Sequence, residues 1–372
     1  MTKINVAAIQ ASIEESGLSW QAASNEFTAM SHTELKRYLG FTPGPKEASM
    51  DERETLSIKA FSAFKVSAAG KGIKKAKAYG YPTSFDWRNK SGSNYVTNVK
   101  DQSSCGSCVA FGTVATAEIA YRIQRGSPSL AVDFSEAQLF YCHAKSEGRN
   151  CGNGWWPKNA LDAYKSKGVV DEACFPYTAG DRSCGTCSDA ANRALKISDY
   201  KKLTNTSQMK EWLSTKGALI GCYSVYSDFF AYRSGVYRKT ANASYSGGHC
   251  ICVVGYDDVA QCWICKNSWG SSWGDGGYFR IGYGQCGIDA EMYGIEGLIE
   301  TLWTGNKKII GLWSNDSANN AWAYIQDFGW RKISNANDNI HLNLLTQCIS
   351  AKSRNALVNI HLSNGVIEEI YN

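Results

Sequence analysis

The spacing of apolar residues near the N-terminus predicts a short helical unit. Ile4 and Ala8 are four residues apart, as are Ile9 and Ile13, and this period places side chains on one face of an α-helix. The pattern continues until Gly40 interrupts it, through Trp20, Phe27, Met30, Leu35 and Leu39. Residues 1 to about 45 are therefore interpreted as a small helical segment.

This pattern is lost after Thr42. Pro43, Gly44 and Pro45 are followed by a mixture rich in Lys, Ala and Gly that extends to Tyr79 and includes the basic run Lys71–Lys77. Such a composition is typical of a flexible linker that proteases can reach. We expect an exposed connector here, open to cleavage.

A dense apolar region extends from Tyr81 to about Leu298 and changes character along its length. After Cys108, a long buried helix is predicted by residues that leave little polar surface: Val109, Ala110, Phe111, Val114, Ala115 and Ile119. The second half contains short apolar runs between glycines, which predict an antiparallel sheet or barrel: Cys250–Gly255, Cys262–Lys266 and Gly277–Ile281. Helices first and strands later favour an α+β fold.

The residues beyond Thr301 contain four further strand-like runs, at Ile309–Trp313, Ala321–Ile325, Leu357–Leu362 and Val366–Tyr371. These runs predict a small β-rich module, and we find no catalytic motif in it. The chain is accordingly divided into residues 1–80, 81–298 and 299–372.

Composition narrows the possible functions. Of 372 residues, 44% are hydrophobic and 35 are glycine, which is typical of a loop-rich globular protein rather than a disordered or fibrous one. The formal net charge is +5 and the basic residues are scattered outside the run at Lys71, so we expect no nucleic-acid partner. No apolar stretch approaches the length of a membrane span.

The cellular compartment is less constrained. The chain contains 14 cysteines, as many small oxidised proteins do, but several lie in apolar runs where a buried free thiol is ordinary. Met1 to Ala11 lacks the apolar run of a secretory signal. Three alternatives remain, namely export by another route, a signal absent from this numbering, or retention inside the cell; of these we favour export.

Three residues in the apolar region have the character of a catalytic group. Cys108 precedes the predicted buried helix, whose dipole would stabilise a thiolate, the form that attacks carbonyls. His249 follows 141 residues later, and Gly247 and Gly248 leave its approach open. Asn267 comes next, and a side-chain amide can hold one imidazole nitrogen so that the other points at sulfur.

Around these residues the sequence resembles the papain and cathepsin family of cysteine peptidases. The matching blocks are Asp86-Trp87-Arg88, Gln102 to Phe111, Ser135-Glu136, Tyr177, Gly247-Gly248-His249, Lys266 to Gly270 and Trp273-Gly274. The resemblance implies that Cys108 is the nucleophile, His249 the base and acid, and Asn267 the residue that orients the imidazole. It also implies that Gln102 joins the Cys108 backbone N–H in the oxyanion hole, and that Trp269 shields the bond between His249 and Asn267 from water.

The resemblance further implies a two-lobed fold, with an α-helical lobe and a β-barrel lobe meeting at a cleft, and peptide-bond hydrolysis without a cofactor. The N-terminal segment resembles a short form of the family's inhibitory propeptide, through Asn25-Glu26-Phe27-Thr28, Glu34-Leu35 and Leu39-Gly40. Such a segment would block the cleft, so the chain would be a zymogen processed between about Lys71 and Gly80. The expected partners are peptide or protein substrates and this propeptide, and we expect a monomer.

The residues implied to contact substrate are Gly154, Gly248, Trp269 and Glu291. Glu291 aligns with the floor of the S2 pocket, and Gly248 replaces a bulkier residue, as in cathepsin B. A carboxylate there could pair with Arg at P2. Gly154 is the implied equivalent of the backbone that binds P2 and P3, although the order Cys151-Gly152-Asn153-Gly154 differs from the family's Cys-Asn-Gly-Gly.

Two other positions depart from the family. Val109 replaces the usual Trp, which implies altered packing beside the S1′ side. Asn267 lies 159 residues after Cys108. That exceeds the usual separation of about 130 to 150 and implies a loop insertion.

Disulfides Cys105–Cys151 and Cys142–Cys184 are implied by the same resemblance. The other cysteines have no implied partner, and most are expected in the core: Cys174, Cys187, Cys222, Cys250, Cys252, Cys262, Cys265, Cys286 and Cys348. Cys105 and Cys108 have the spacing of a redox pair, but such a pair is expected to follow a strand, and no strand is predicted before it. The pairs Cys184/Cys187 and Cys262/Cys265 have zinc-ligand spacing, but alternation in a strand turns the latter two to opposite faces, so we expect no metal.

Two other functions are compatible with the same fold. One is a binding protein on an inactive papain-like fold with the C-terminal module as its binding part, but the intact Cys108, His249, Asn267 and Gln102 argue against it. The other is a transpeptidase or ligase that uses the same residues to form bonds. The remaining histidines are expected to be structural: His32, His143, His341 and His361.

Overall fold

The computed structural model describes residues 3–69 and 80–371, which form two units, one ending at Leu298 and the other beginning at Ile299. The helices of the first unit are α1 (Val6–Glu15), α2 (His32–Lys36), α3 (Met50–Ala69), α4 (Cys108–Gln124), α5 (Pro157–Lys167), α6 (Ala190–Arg193) and α7 (Thr206–Thr215). Its strands are β1 (Gln21–Ala22), β2 (Ser84–Asp86), β3 (Lys196–Ile197), β4 (Tyr200–Leu203), β5 (Leu219–Tyr226), β6 (Tyr232–Ser234), β7 (Val236–Tyr237), β8 (Tyr245–Asp257), β9 (Cys262–Lys266), β10 (Tyr278–Gly282), β11 (Met292–Ile295) and β12 (Leu298–Ile299).

Helix α4 forms the centre of the helical lobe, as the sequence predicted. It is buried continuously from Cys108 to Ala120, because almost every side chain in that stretch is apolar or small. Helix α5 and a π-helical segment, Gln138–Ala144, belong to the same lobe. Their apolar side chains share one core with helix α4, including Leu139, Phe140, Leu161 and Tyr164.

The second lobe is an eight-stranded sheet. Its order is β4-β11-β5-β8-β9-β10-β7, and β2 also pairs with β8. These pairs are antiparallel except for β10 with β7. The central strands are buried along nearly their whole length, which explains why they read as continuous apolar runs rather than as an alternation. The α+β, papain-like fold class is confirmed.

The N-terminal segment is more broken than the predicted helical pattern. Between α1 and α2 lie β1 and a 3₁₀ turn, Glu26–Ala29, and Asn25 and Ser31 each close a capping box at the start of a helical turn. Strand β1 pairs antiparallel with β6. The buried Trp20 donates its indole N–H to the carbonyl of Arg238 at 3.0 Å. The segment is therefore attached to the sheet lobe by main-chain pairing and buried aromatic rings.

The prediction of a flexible connector from Thr42 onward was wrong for residues 50–69, which form the 20-residue helix α3. The helix has no apolar stripe, and two of its fully buried side chains, Arg53 and Ser57, are polar. They bond to residues far along the chain, Glu291 and Asp289. Residues 70–79, where most of the predicted processing region falls, lie outside the described residues.

The second unit consists of β13 (Thr301–Ser314), β14 (Ala321–Ile325), β15 (Gly329–Ile333), α8 (Asp338–Ser353), β16 (Leu357–Ser363) and β17 (Val366–Tyr371). The strands close into a barrel in the order β13-β14-β15-β17-β16, and β15 pairs parallel with β17. A closed five-stranded barrel with a helix between its third and fourth strands has the topology of the OB-fold. The barrel encloses its own apolar core, including Ile325, Ile333, Val358 and Ile367.

Within the described residues, three disulfides are formed. They include the two pairs that the resemblance implies and one for which no partner was assigned: Cys105–Cys151, Cys142–Cys184 and Cys174–Cys187. Because Cys105 is bonded to Cys151, it is not available for a redox pair with Cys108. Cys184 and Cys187 are bonded to Cys142 and Cys174, so neither thiol is free to bind zinc. None of the described helices is long and apolar enough to cross a membrane.

Candidate active site

Cys108 is the first residue of α4, and the loop before it is fixed on both sides. The Cys105–Cys151 disulfide joins this loop to the turn that carries Gly154. Tyr177 lies beneath the loop, where its hydroxyl is 2.8 Å from the Ser107 hydroxyl and donates to the Gln102 carbonyl at 2.9 Å. The thiol therefore begins a rigid helix and faces the positive end of its dipole.

His249 and Asn267 come from neighbouring strands. His249 lies within β8, and Asn267 follows the last residue of β9, which is hydrogen-bonded to β8. The imidazole Nε2 donates to Asn267 Oδ1 at 2.8 Å. Trp269 covers this pair, with its ring 4.8 Å from the imidazole centroid. The other imidazole nitrogen, Nδ1, is buried without a hydrogen bond to any described residue.

Gln102 is buried beside the same loop, and its amide is fully engaged. Ser268 donates its hydroxyl to Gln102 Oε1 at 2.7 Å, which fixes the amide orientation. Gln102 Nε2 donates to the carbonyls of Cys105 at 2.8 Å and Tyr38 at 3.1 Å. A carbonyl of the N-terminal segment therefore occupies one donor of the amide.

After a hydrogen-bonded turn at Tyr38 and Leu39, the N-terminal segment passes the Cys108 thiol, to which the Gly40 backbone hydrogen-bonds. Phe41 donates its N–H to the Gly248 carbonyl at 3.0 Å, and Trp155 donates to the Gly40 carbonyl at 2.8 Å. Phe41 and Trp155 form a parallel bridge. The segment thus uses main-chain groups on both sides of the cleft.

Glycines make this close approach possible. A Cβ on Gly40 would lie 1.9 Å from the Gly106 carbonyl oxygen, and one on Gly154 would lie 2.0 Å from the Gly40 carbonyl oxygen. A Cβ on Gly248 would lie 2.3 Å from the Phe41 carbonyl oxygen. Gly154 and Gly248 therefore line the path of a bound chain, where any side chain would exclude it.

The covered site has neutral reacting groups. Burial, with a smaller contribution from Cys222, raises the pKa of the Cys108 thiol to about 12. Burial also lowers the pKa of His249 to about 4, and the hydrogen bond to Asn267 offsets only part of that shift. The helix dipole, which favours a thiolate, is therefore outweighed while the N-terminal segment excludes water. Near neutral pH both groups are uncharged in this arrangement.

Glu291 is also covered by the N-terminal segment. The buried Arg53 of α3 lies 2.7 Å from its carboxylate, and Lys202 pairs with the second oxygen. Burial alone would raise the pKa of Glu291, but the two cations outweigh it and hold the pKa below its usual value. Arg53 also donates to the Cys222 carbonyl at 3.3 Å.

The structure thus brings seven of the eight predicted site residues close to the track of residues 38–42: Cys108, His249, Asn267, Gln102, Gly154, Gly248 and Trp269. Glu291 lies instead against α3. Val109, which departs from the family, is fully buried in the core of the helical lobe. The sequence did not single out Tyr38, Ser268 or Arg53, because a main-chain carbonyl, a serine and an isolated arginine have no distinctive pattern.

Comparisons with known proteins agree with this arrangement. The papain family of cysteine proteases matches residues 81–295. Cysteine proteinase 2 of Entamoeba histolytica is 35% identical over 215 residues, which cover 56% of this chain and 66% of that protein. The cathepsin B-like protein CP3 of Giardia intestinalis is 37% identical over 228 residues, 57% of this chain and 74% of that protein. That match accords with the cathepsin B-like residues Gly248 and Glu291.

A solved structure also resembles this fold with the N-terminal segment included. The recombinant stem bromelain precursor matches 79% of this chain and 88% of its own, with a TM-score of 0.59 and 28% identity. The family match covers more than half of the chain and includes all eight site residues predicted from the sequence. The chain therefore belongs to the papain family of cysteine proteases.

Proposed function

We propose that this chain is the zymogen of a cysteine endopeptidase, in which Cys108 is the nucleophile, His249 the general base and acid, and residues 1–80 the inhibitory propeptide with its activation linker. The observation that best supports it is the segment 38–42, whose Gly40 backbone hydrogen-bonds to Cys108 and whose Tyr38 carbonyl accepts a hydrogen bond from Gln102. A substrate carbonyl would need the same donor. Latency then follows from occupation of the cleft by the chain itself.

The reaction proceeds by acyl transfer once this segment is removed. His249 takes the Cys108 proton, and the thiolate attacks the substrate carbonyl carbon. Gln102 Nε2 and the Cys108 N–H stabilise the oxyanion, where one donor is typically worth about 3 kcal/mol. His249 then protonates the leaving amine, and the acyl group remains as a thioester. His249 next takes a proton from water, which attacks the thioester carbonyl carbon; the C–S bond breaks, the acid is released, and the proton on His249 returns to the Cys108 sulfur.

Hydrolysis of dipeptide fluorogenic substrates by the full chain, before and after acid incubation, tests this function. We expect activity to appear with loss of the N-terminal segment and to be abolished by the thiol reagent E-64. An added amine nucleophile separates hydrolysis from bond formation, since a ligase would yield the amine adduct as its main product. A processed chain that remains inactive and does not react with E-64 would favour the binding-protein alternative.

Glu291 is expected to select Arg at P2. Its buried carboxylate binds Arg53 in the zymogen, and the oxygen that accepts from Arg53 loses this partner when the propeptide leaves. Glu291→Gln should lower kcat/KM for a P2-Arg substrate, relative to P2-Leu, by about 10- to 100-fold. Steady-state kinetics of the processed enzyme measure the ratio. Glu296→Gln, an exposed carboxylate just beyond β11, is the matched control and should leave the ratio unchanged. An unaltered ratio in Glu291→Gln would contradict this preference.

Acid is expected to loosen the propeptide. Hydrogen bonds from Ser31 and Ser49 hold the pKa values of Glu34 and Glu52 below 4.5, and Arg53 with Lys202 does the same for Glu291. The bonds of Glu34 and Glu52 lie within the N-terminal segment and stabilise its helices, whereas the ion pair of Glu291 with Arg53 stabilises its docking. Each contribution is present above the usual pKa of the carboxylate and is lost as the pH falls through the depressed value. Docking should therefore weaken below a pH of about 4.5.

Hydrogen exchange of the Cys108→Ala chain, measured by mass spectrometry and corrected for intrinsic rates, follows this loosening. We expect residues 3–69 to lose protection on acidification before residues 81–298 do. Glu34→Gln and Glu52→Gln should reduce protection at neutral pH and flatten its pH dependence. Simultaneous loss of protection in both regions would show global unfolding rather than release of the propeptide.

A further inference from the structure

The barrel of the second unit has an aromatic outer surface. In β14, Ala321, Ala323 and Ile325 face the barrel core, so the alternating Trp322 and Tyr324 face outward. The register places Trp313 of β13 opposite Trp322, and Trp330 of β15 opposite Tyr324. These four side chains therefore share the outward side of three adjacent strands, hereafter the aromatic face: Trp313, Trp322, Tyr324 and Trp330.

The rings are exposed, although burial would be favourable for each of them. Trp313 is 48% exposed, Trp330 46% and Tyr324 38%. Tyr324 and Trp330 lie edge to face with their centroids 5.4 Å apart. Large exposed apolar patches on a soluble protein usually mark a site where another molecule binds.

The shape of the aromatic face depends on a glycine in β13. Gly311 lies opposite Tyr324 on the same outward side of the barrel. A Cβ at this position would lie 3.1 Å from the end of the Trp330 indole and 3.1 Å from Tyr324 Cβ. The glycine therefore lets the Trp330 ring lie across the strand, against main chain, and leaves the opposite side of the ring to solvent.

Amide side chains from the loop between β13 and β14 border the face. Asn320 Oδ1 accepts the Trp322 indole N–H at 3.1 Å, and Asn320 Nδ2 donates to Asn315 Oδ1 at 2.9 Å. These bonds fix the edge of the Trp322 ring. They also place two amide groups, which can both donate and accept hydrogen bonds, at one end of the aromatic face. Amides beside an apolar surface can bind the hydroxyl groups of a ligand whose apolar side lies on that surface.

The net charge of the second unit argues against a polyanion as the partner of the aromatic face. Residues 299–372 contain six basic and six acidic side chains, so their net charge is zero. Nucleic-acid binding depends on clustered cations that neutralise phosphates. On the aromatic face itself, Lys332 is the cation opposite Trp322. The partner that fits is uncharged, with flat apolar faces and many hydroxyls.

We propose that the aromatic face binds a neutral oligosaccharide chain and thereby holds the peptidase on a glycan-bearing surface. The C–H faces of successive pyranose rings would stack on Trp313, Tyr324 and Trp330, while their hydroxyls would bond to Asn315 and Asn320. The second and third strands of OB-fold barrels bind oligosaccharides or oligonucleotides in other proteins, which is a likeness at the level of the fold alone. This activity is separate from hydrolysis at Cys108.

Retention of the full-length Cys108→Ala chain on insoluble cellulose, chitin and starch tests the proposal, followed by titration with soluble hexaoses of the retained polymer. Trp330→Ala and Tyr324→Ala should each weaken binding by about tenfold or more, as truncation of an aromatic anchor does. The matched control is Trp303→Ala, which removes a 39% exposed ring of the same unit that stacks on His361 outside the aromatic face. It should bind like the unaltered chain.

Gly311→Ala provides a second test that keeps every ring, because its methyl group would lie 3.1 Å from the Trp330 indole and shift that ring by a few tenths of an ångström; it should weaken binding less than Trp330→Ala does. If an alanine variant fails to fold by its thermal transition, Gly311→Ala and Trp330→Phe decide the question. No retention on any of the three polymers, or equal binding by the variants and the unaltered chain, would overturn the proposal. So would binding of oligo-dT, or of a protein bait without any glycan, that is lost in Trp330→Ala.

Discussion

Replacing Cys108 with alanine is expected to lower kcat/KM of the processed enzyme by about 10⁴-fold or more, because removal of a nucleophile leaves only oxyanion stabilisation and substrate binding. The propeptide should still dock, since its contacts run through backbone groups of Gly248 and Trp155 and through the Gln102 amide. Hydrolysis of a dipeptide substrate by chain processed with an added protease measures the first effect, and hydrogen exchange measures the second.

Cys252→Ala is the matched control. Cys252 is likewise free and buried, but it accepts a hydrogen bond from the Thr116 hydroxyl at 3.4 Å, in the core beneath α4. We expect nearly full activity from it. Comparable activity in Cys108→Ala and Cys252→Ala would refute the nucleophile assignment.

Arg53→Ala is expected to release the propeptide. The substitution leaves Glu291 buried with Lys202 as its remaining cation, and removing one partner of a buried pair typically costs about 3 kcal/mol or more. The open form should become about 100-fold more populated at neutral pH. The rate at which the intact chain is labelled by a thiol-directed active-site reagent measures that population, because Cys108 is covered in the closed form.

Lys59→Ala controls for loss of a cation from the same helix, since Lys59 is exposed on α3. Its labelling rate should match that of the unaltered chain. If Arg53→Ala were labelled no faster, the ion pair with Glu291 would not contribute to latency, and the cover would depend on the other contacts of the N-terminal segment. Glu291→Gln tests the same contact from the other side and should also accelerate labelling.

The sequence could predict the site well because its chemistry demands particular residue types. The chemistry requires a nucleophile at the start of a helix, then an imidazole on a strand, then an amide after the next strand. This order is recognisable in the sequence, and it identified Cys108, His249 and Asn267. The four strand-like runs beyond Thr301 were also predicted, and all lie within strands of the barrel. These are stretches in which local pattern and tertiary role coincide.

Other features depend on contacts between distant residues and leave little local signal. Helix α3 is held by Arg53 and Ser57, whose partners follow more than 230 positions later. The Cys174–Cys187 disulfide spans only 13 positions, but the resemblance supplied no partner for either cysteine. Strand β15 was missed because Trp330 and Lys332 face outward and Arg331 is half-buried, so its apolar residues do not alternate as a strand predicts.

The pairing of Arg53 with Glu291 links two traits that selection would otherwise adjust separately. A change at Glu291 that altered the preferred substrate would at the same time loosen the propeptide, and the enzyme would become active too early. A change at Arg53 alone would loosen the propeptide without any gain in specificity. Divergence of this pocket within a lineage should therefore proceed by paired substitutions, and an engineer who redesigns residue 291 will need to redesign residue 53 with it.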